Sequence, residues 1–149
     1  MTEHGTFVIE RDYDASPARV FAAWARPELK LRWFACHDDW RTLEHTLDLR
    51  PGGSERLLTG TPAGGVHRMD ARYFDVVADR RLVYAYEMHV DDARISVSLA
   101  TVDLAPRGRG TRMTFTEQVV FLDGHGDLAE REEGTRVGLD SLDRFLRAG

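Results

Sequence analysis

The sequence predicts an α+β protein in which a curved antiparallel sheet grips one long C-terminal helix over a ligand cavity. Apolar residues recur at helical spacing in one long segment, residues 128–146, which comes last in the chain. Before it, short segments alternate apolar and polar residues between hairpin-like turns, which indicates an antiparallel sheet. Gly134 and Gly138 lie about one turn apart in the predicted helix, where each glycine costs about 1 kcal/mol relative to alanine. Such a pair indicates a close approach to the helix or open space beneath it.

The first part of the chain predicts one strand and two helical segments. Residues 6–13 begin with strand-forming types. Ser16 is a favourable N-cap and Pro17 a favourable first helical residue, so a helix is expected over residues 17–25. The other elements predicted here are a short helical turn over residues 28–31 and a polar loop over residues 35–41.

The middle of the chain predicts a run of strands joined by short turns. In residues 43–50 every second residue is apolar or histidine, which predicts a strand with one face in solvent. The residues on its inner face are Leu43, His45, Leu47 and Leu49. Glycine and proline mark turns at residues 51–53, 60–65 and 106–110. Further strands are predicted over residues 54–58, 67–77, 82–89, 95–99 and 111–121.

The predicted C-terminal helix has two unlike halves. A step of about 100° per residue places one set of side chains toward the sheet. This set consists of Leu128, Glu132, Thr135, Leu139, Leu142 and Leu146. Arg131 is assigned to the flank of that face. The leucines of the C-terminal half are predicted to seal a core, whereas the glycines of the N-terminal half leave room.

Composition and charge restrict the classes of function. A chain of 149 residues fits a single domain, residues 1–149, with its own core. Its net charge of −5 and its lack of a basic cluster argue against nucleic acid as a partner. No segment has the apolar length of a membrane span or of a signal peptide, so we expect a cytoplasmic protein with no membrane partner.

The only cysteine, Cys36, excludes an intrachain disulfide and a thiolate zinc cluster. His37, Asp38 and Asp39 follow it in the predicted loop. These residues are adjacent, and no second group of ligand residues accompanies them. We therefore predict no metal site and no other cofactor.

Three ionisable residues are the candidates for chemistry. Glu117 is the strongest, because the two-residue period of the last strand places it inside the sheet, where an unpaired carboxylate is costly. Glu132 on the inner face of the helix and His45 on an inner strand face are expected to share the same cavity. These three are the candidate catalytic residues, with a carboxylate as general base and His45 as its proton partner.

A structural interpretation of the same residues is equally specific. Glu117 would then pair with an arginine at the rim of the cavity, Glu132 with Arg136 one turn on, and His45 would reach water. Between the two states of Glu117, the protonated carboxyl is favoured, because the neighbouring strand, residues 95–99, carries no inward arginine.

Aromatic and sulfur-containing side chains are predicted to line a ligand pocket, with tyrosine hydroxyls as polar anchors. The alternative is an ordinary aromatic core. Trp40 belongs to the aromatic set, and the full set of predicted ligand-binding residues is Trp33, His45, Tyr73, Tyr84, Tyr86, Met88, Phe115, Glu117, Glu132 and Thr135.

Several segments carry a resemblance to a known family. They are residues 27–34, 48–53, 81–86 and 110–115, together with Gly134, Leu139 and Leu142. The chain resembles homologues of the activator of the heat-shock-protein-90 ATPase, which belong to the START-like, or SRPBCC, superfamily. The resemblance implies the helix-grip (START-like, Bet v-like) fold. Relatives often carry tryptophan after the helix glycine, where this chain has Thr135, and the smaller residue enlarges any space under the helix.

Three functions follow from these observations. The first is binding of a small apolar or aromatic molecule between the sheet and the helix. The second, which the superfamily resemblance allows, is an enzyme similar to polyketide cyclases and dehydratases. The third is a chaperone-associated interaction protein, although the stimulating activity of the family's namesake resides largely in a separate N-terminal domain for which this chain has no room. The oligomeric state is left open between monomer and homodimer.

Overall fold

The computed structural model describes residues 1–34 and 39–149 of the chain. Seven strands and three helices are present in these ranges. In chain order they are β1 (Thr2–Tyr13), α1 (Pro17–Ala25), α2 (Pro27–Phe34), β2 (Arg41–Leu47), β3 (Ser54–Gly60), β4 (Val66–Val77), β5 (Arg81–Val90), β6 (Ala93–Arg107), β7 (Gly110–Leu122) and α3 (Leu128–Arg147).

The strands form one antiparallel sheet in the order β1-β7-β6-β5-β4-β3-β2. From β2 to β7, consecutive strands pair with one another, as hairpin connections require. Strand β1 pairs with the other edge of β7. In β7, Met113, Phe115, Glu117, Val119 and Phe121 are all buried, as the period of two demands. The predicted α+β fold is therefore confirmed.

The two N-terminal helices form one packed unit. The Ser16 side chain accepts a hydrogen bond from the backbone N–H of Arg19 and caps α1. Trp24 on α1 and Trp33 on α2 meet edge to face with their ring centroids 4.8 Å apart. The indole of Trp33 also donates to the carbonyl of Ala23 at 2.9 Å, so its orientation is fixed. This unit places two tryptophans next to the sheet.

Helix α3 is held at its C-terminal half. Leu139, Leu142 and Leu146 are buried there, as predicted. The hydroxyl of Tyr13 donates to the carbonyl of Leu139 at 3.2 Å, and the guanidinium of Arg19 donates to the carbonyl of Leu146 at 3.0 Å. Packing and these bonds fix one end of the helix, and the site occupies the other end.

Four element boundaries differ by three residues or more from the sequence prediction. Strand β1 starts at Thr2, and β6 extends to Arg107 because its inward alternation continues far beyond residue 99. Helix α2 extends to Phe34. Strand β2 ends at Leu47, and an irregularity in its pairing between Thr42 and Glu44 leaves Leu43 exposed instead of on the inner face.

The predicted loop over residues 35–41 falls mostly on residues 35–38, which lie outside the described ranges. Its last residue, Arg41, begins β2. Within the described ranges, no helix is long and apolar enough to cross a membrane.

Candidate functional site

A cavity of about 620 Å³ lies between the sheet and the N-terminal half of α3. This volume is in the range of small-molecule pockets. A methyl group placed on Gly134 or Gly138 would meet no atom within 4 Å outside the adjoining helix backbone, so both glycines border open space. Much of the wall is aromatic or apolar, including Trp24, Trp33, Met69, Met88, Phe115 and Phe121.

One part of the cavity wall is polar and consists of Glu117 on β7, Arg131 on α3 and their partners. Oε2 of Glu117 accepts hydrogen bonds from the Tyr86 hydroxyl at 2.7 Å, the Ser98 hydroxyl at 2.9 Å and the Arg131 guanidinium at 3.2 Å. The guanidinium also donates to the Ser96 hydroxyl at 2.7 Å. We call these five residues the Glu117 cluster. It places a positive and a negative charge together at the cavity.

Burial and neighbouring charges shift the pKa values of Tyr86 and Arg131 in this cluster. Burial raises the pKa of Tyr86, and the Glu117 charge raises it further, so the hydroxyl stays a donor. Burial alone would lower the pKa of Arg131, but Tyr86 and Glu117 outweigh burial and raise it. The side chain of Arg131 is 13% exposed and the side chain of Glu117 is 1% exposed. The ion pair is therefore almost entirely removed from water.

The neighbouring strand carries no inward arginine, as expected, but Arg131 reaches Glu117 from α3, so the absence of an arginine on that strand was not a sufficient reason to favour a carboxyl without an ionic partner. Arg131 is three residues after Leu128 and four before Thr135, so it occupies the inner face of α3 and not its flank. Glu132, which was assigned to that face, instead pairs with Arg136 at 2.6 Å and is 30% exposed. Both ion pairs follow the structural interpretation.

A second buried group of charges lies where α2 meets β3 and β4. Nζ of Lys30 donates to Oε1 of Glu55 at 2.6 Å and to the Tyr73 hydroxyl at 3.2 Å. Nε2 of His45 lies 2.9 Å from Oε2 of Glu55. We call these four residues the Glu55 cluster. It takes His45 away from the Glu117 cluster, and four strands separate β2 from β7 in the sheet.

The charges of the Glu55 cluster stabilise one another. Burial by itself would raise the pKa of Glu55, but Lys30 and the hydrogen bonds from His45, Lys30 and Tyr73 outweigh it and lower the pKa to about 2. Burial lowers the pKa of Lys30, and Glu55 opposes that change. Both side chains of the Lys30–Glu55 pair are fully buried.

The predicted site residues therefore separate into three places. The cavity is lined by Trp33, Trp40, Tyr84, Tyr86, Met88, Phe115, Glu117 and Thr135. His45 and Tyr73 instead belong to the Glu55 cluster, and Glu132 to the pair with Arg136. The structure does not bring Glu117, Glu132 and His45 together as a catalytic set.

Lys30 and Glu55 were not identified as site residues from the sequence, and Arg131 was assigned to the flank of α3 instead of to its inner face. The sequence contained a signal for Glu55, because this residue lies on the same strand face as Leu57 and Thr59. In the structure all three side chains are buried. Lys30 is the only lysine in the chain and lies one turn before Trp33, on the same side of α2.

No group of three or more potential metal ligands occurs within residues 1–34 and 39–149. Cys36, His37 and Asp38 lie outside those ranges.

An antiparallel sheet, a long C-terminal helix and a cavity between them define an α+β protein of the helix-grip class. The sequence profile of the family described as activator of Hsp90 ATPase homolog 1-like protein matches residues 14–147. The chain belongs to this family, which has the START-like, or SRPBCC, fold. The resemblance seen in the sequence is thereby confirmed.

Solved structures of similar proteins support the same fold. A protein from Rhizobium leguminosarum is 50% identical, with a TM-score of 0.96 over 100% of this chain and 98% of its own. A protein from Rhizobium loti is 41% identical, with a TM-score of 0.90 over 97% of this chain and 99% of its own. An AHSA1-like protein from Aeromonas hydrophila, at 23% identity and a TM-score of 0.75, covers 97% of this chain and 93% of its own and shares the fold. No curated protein matches the chain.

Proposed function

We propose that this protein binds a small apolar or aromatic molecule in the cavity between the sheet and α3. The observation that carries the proposal is a largely apolar space of about 620 Å³ bordered by two helix glycines. Each glycine weakens the helix by about 1 kcal/mol relative to alanine. A helix that needed only to cover a filled core would be more stable with larger side chains at these positions.

The charge distribution favours a neutral ligand. Arg131 and Glu117 compensate each other, so neither presents an unpaired charge to the cavity. Asp127 and Glu130 line the cavity from the start of α3, and both are exposed. Their negative charges disfavour an anionic ligand.

The enzyme alternative has less support. A cyclase or dehydratase that used Glu117 or Glu132 with His45 would need these groups around one substrate. His45 is bound to Glu55, Glu132 to Arg136, and only Glu117 of the three lines the cavity. The alternative of a chaperone-associated protein has to rely on exposed apolar surface. Exposed large apolar side chains, such as Val8, are an ordinary feature of protein surfaces and do not by themselves support this alternative.

The test is binding of prodan, a neutral fluorescent dye without a hydrogen-bond donor. We expect the wild type to bind prodan with a blue shift in emission. Thr135→Trp, which fills the cavity from α3, should weaken binding at least about tenfold, a loss of about 1.4 kcal/mol. Val137→Trp adds the same side chain at an exposed position of the same helix and should leave the affinity unchanged. Equal affinities of the two variants, with both folded, would contradict the proposal.

A further inference from the structure

We propose that the ligand of this cavity carries a hydroxyl or N–H group and that Oε1 of Glu117 accepts a hydrogen bond from it. The inference rests on the proposed function and specifies the chemical class of the ligand. It follows from an asymmetry in the Glu117 cluster. All three side-chain hydrogen bonds to Glu117 reach Oε2. No described residue donates a hydrogen bond to Oε1.

An unused carboxylate oxygen in this position is unusual. Glu117 is 1% exposed, yet Oε1 is not among the fully buried polar atoms without a partner, so the little surface that this side chain keeps includes Oε1. A polar atom in so restricted a place normally has a partner, because an unmade hydrogen bond is costly. The donors of Tyr86, Ser98 and Arg131 are already directed at Oε2. Glu117 lines the cavity, so a donor for its second oxygen has to come from the cavity.

The three donors on Oε2 also hold the carboxylate in one orientation. A ligand group then meets an acceptor that is already in place, and little conformational freedom is lost on binding. Because Arg131 compensates the charge of Glu117, the site accepts a hydrogen bond without requiring a cationic ligand. The geometry therefore favours a neutral donor.

Tyr84 offers a second polar contact on the same wall. It lines the cavity and is 4% exposed, and its hydroxyl has no hydrogen-bond partner in the part of the chain that the structure describes. Burial raises the pKa of Tyr84 well above 10, so the hydroxyl remains a donor. A ligand hydroxyl combines both functions, because it donates to Glu117 and its oxygen can accept from Tyr84. The ligand class is thus an aromatic or apolar molecule with a hydroxyl or N–H group, of which a naphthol is a simple probe.

The experiment compares 2-naphthol with 2-fluoronaphthalene, which has a similar shape but no donor. Affinities for the wild type are measured by displacement of prodan at neutral pH. We expect 2-naphthol to bind about tenfold more tightly, as is typical of a hydrogen bond to a charged acceptor. Glu117→Gln should reduce this preference to about twofold or less, because the amide keeps its oxygen toward Arg131 and presents an N–H₂ group to the cavity. The affinity for 2-fluoronaphthalene should not change.

The control variant is Glu132→Gln, which makes the same chemical change in the ion pair with Arg136. Neither residue of that pair lines the cavity, so this variant should retain the tenfold preference. Equal affinities of the wild type for the two naphthalenes would overturn the inference, whether or not Glu117→Gln folds. A preference that persists in folded Glu117→Gln would also overturn it. If prodan binds but neither naphthalene displaces it, the inference fails and the cavity proposal stands. If prodan does not bind, the proposed function fails and the inference fails with it.

Discussion

Replacing Arg131 by methionine tests the buried ion pair on which the polar side of the cavity depends. The substitution removes hydrogen bonds to Glu117, Tyr86, Ser98 and Ser96 and leaves a carboxylate that is 1% exposed without its positive partner. Breaking a buried pair costs about 3–5 kcal/mol. Tyr86 and Ser98 still donate to the carboxylate, so we expect a loss at the lower end, about 3 kcal/mol, in the free energy of unfolding.

A double-mutant cycle measured by urea denaturation separates the pair from its surroundings. In Arg131→Met combined with Glu117→Gln no charge is stranded, so the double variant should be about 2 kcal/mol more stable than the sum of the single losses predicts. The matched control is Arg136→Met with Glu132→Gln, a pair that is 40% and 30% exposed. Its coupling should not exceed about 0.5 kcal/mol. A coupling equally small at Arg131 and Glu117 would refute the assignment of a buried, energetically important pair.

Three further predictions address the core, the helix and the second buried cluster. Leu142→Ala, at a fully buried position, should lower the free energy of unfolding by about 2–5 kcal/mol in urea, and a loss of a few tenths would contradict the placement of α3. Gly134→Ala should raise the thermal stability, by about 0.5–1 kcal/mol, because its methyl group meets no atom within 4 Å; a lower melting temperature would show that the space is filled. Glu55→Gln strands Lys30 and should be less stable than the wild type at neutral pH. Because folding lowers the pKa of Glu55 from 4.5 to about 2, its contribution of about 3 kcal/mol is present above pH 4.5 and is lost as the pH falls toward 2. The stability difference between wild type and Glu55→Gln should close over that window, and a constant difference would contradict the assigned pair.

Local patterns were sufficient to predict the fold. A period of two identified β7 and placed Glu117 inside, and a helical period placed Leu142 in the core. Both predictions need only the neighbours within one element. The end of β6 was predicted too early. Its alternation continues past residue 99 through Ala100, Val102 and Leu104, which are all buried, so the sequence pattern also contained the information for the longer strand.

The partners of the buried charges were harder to predict because they come from other elements. Arg131 meets Glu117 across the cavity, and a helix face must be known to within one residue to distinguish Arg131 from Glu132. Lys30 and Glu55 lie on a helix and a strand that are brought together only by the tertiary fold. His45 was correctly recognised as an inward residue of β2, but a period of two does not say which carboxylate it meets.

The most direct test of ligand binding uses the four methionines of the chain as reporters. Met69 and Met88 line the cavity, whereas Met113 is fully buried outside the cavity lining and Met1 is exposed. In protein labelled with ¹³C at the methionine methyl groups, titration with prodan should shift the NMR signals of Met69 and Met88 and leave those of Met1 and Met113 in place. Saturable shifts at the first two alone are the predicted result. Unchanged signals at Met69 and Met88, or shifts confined to Met1, would contradict binding in the cavity.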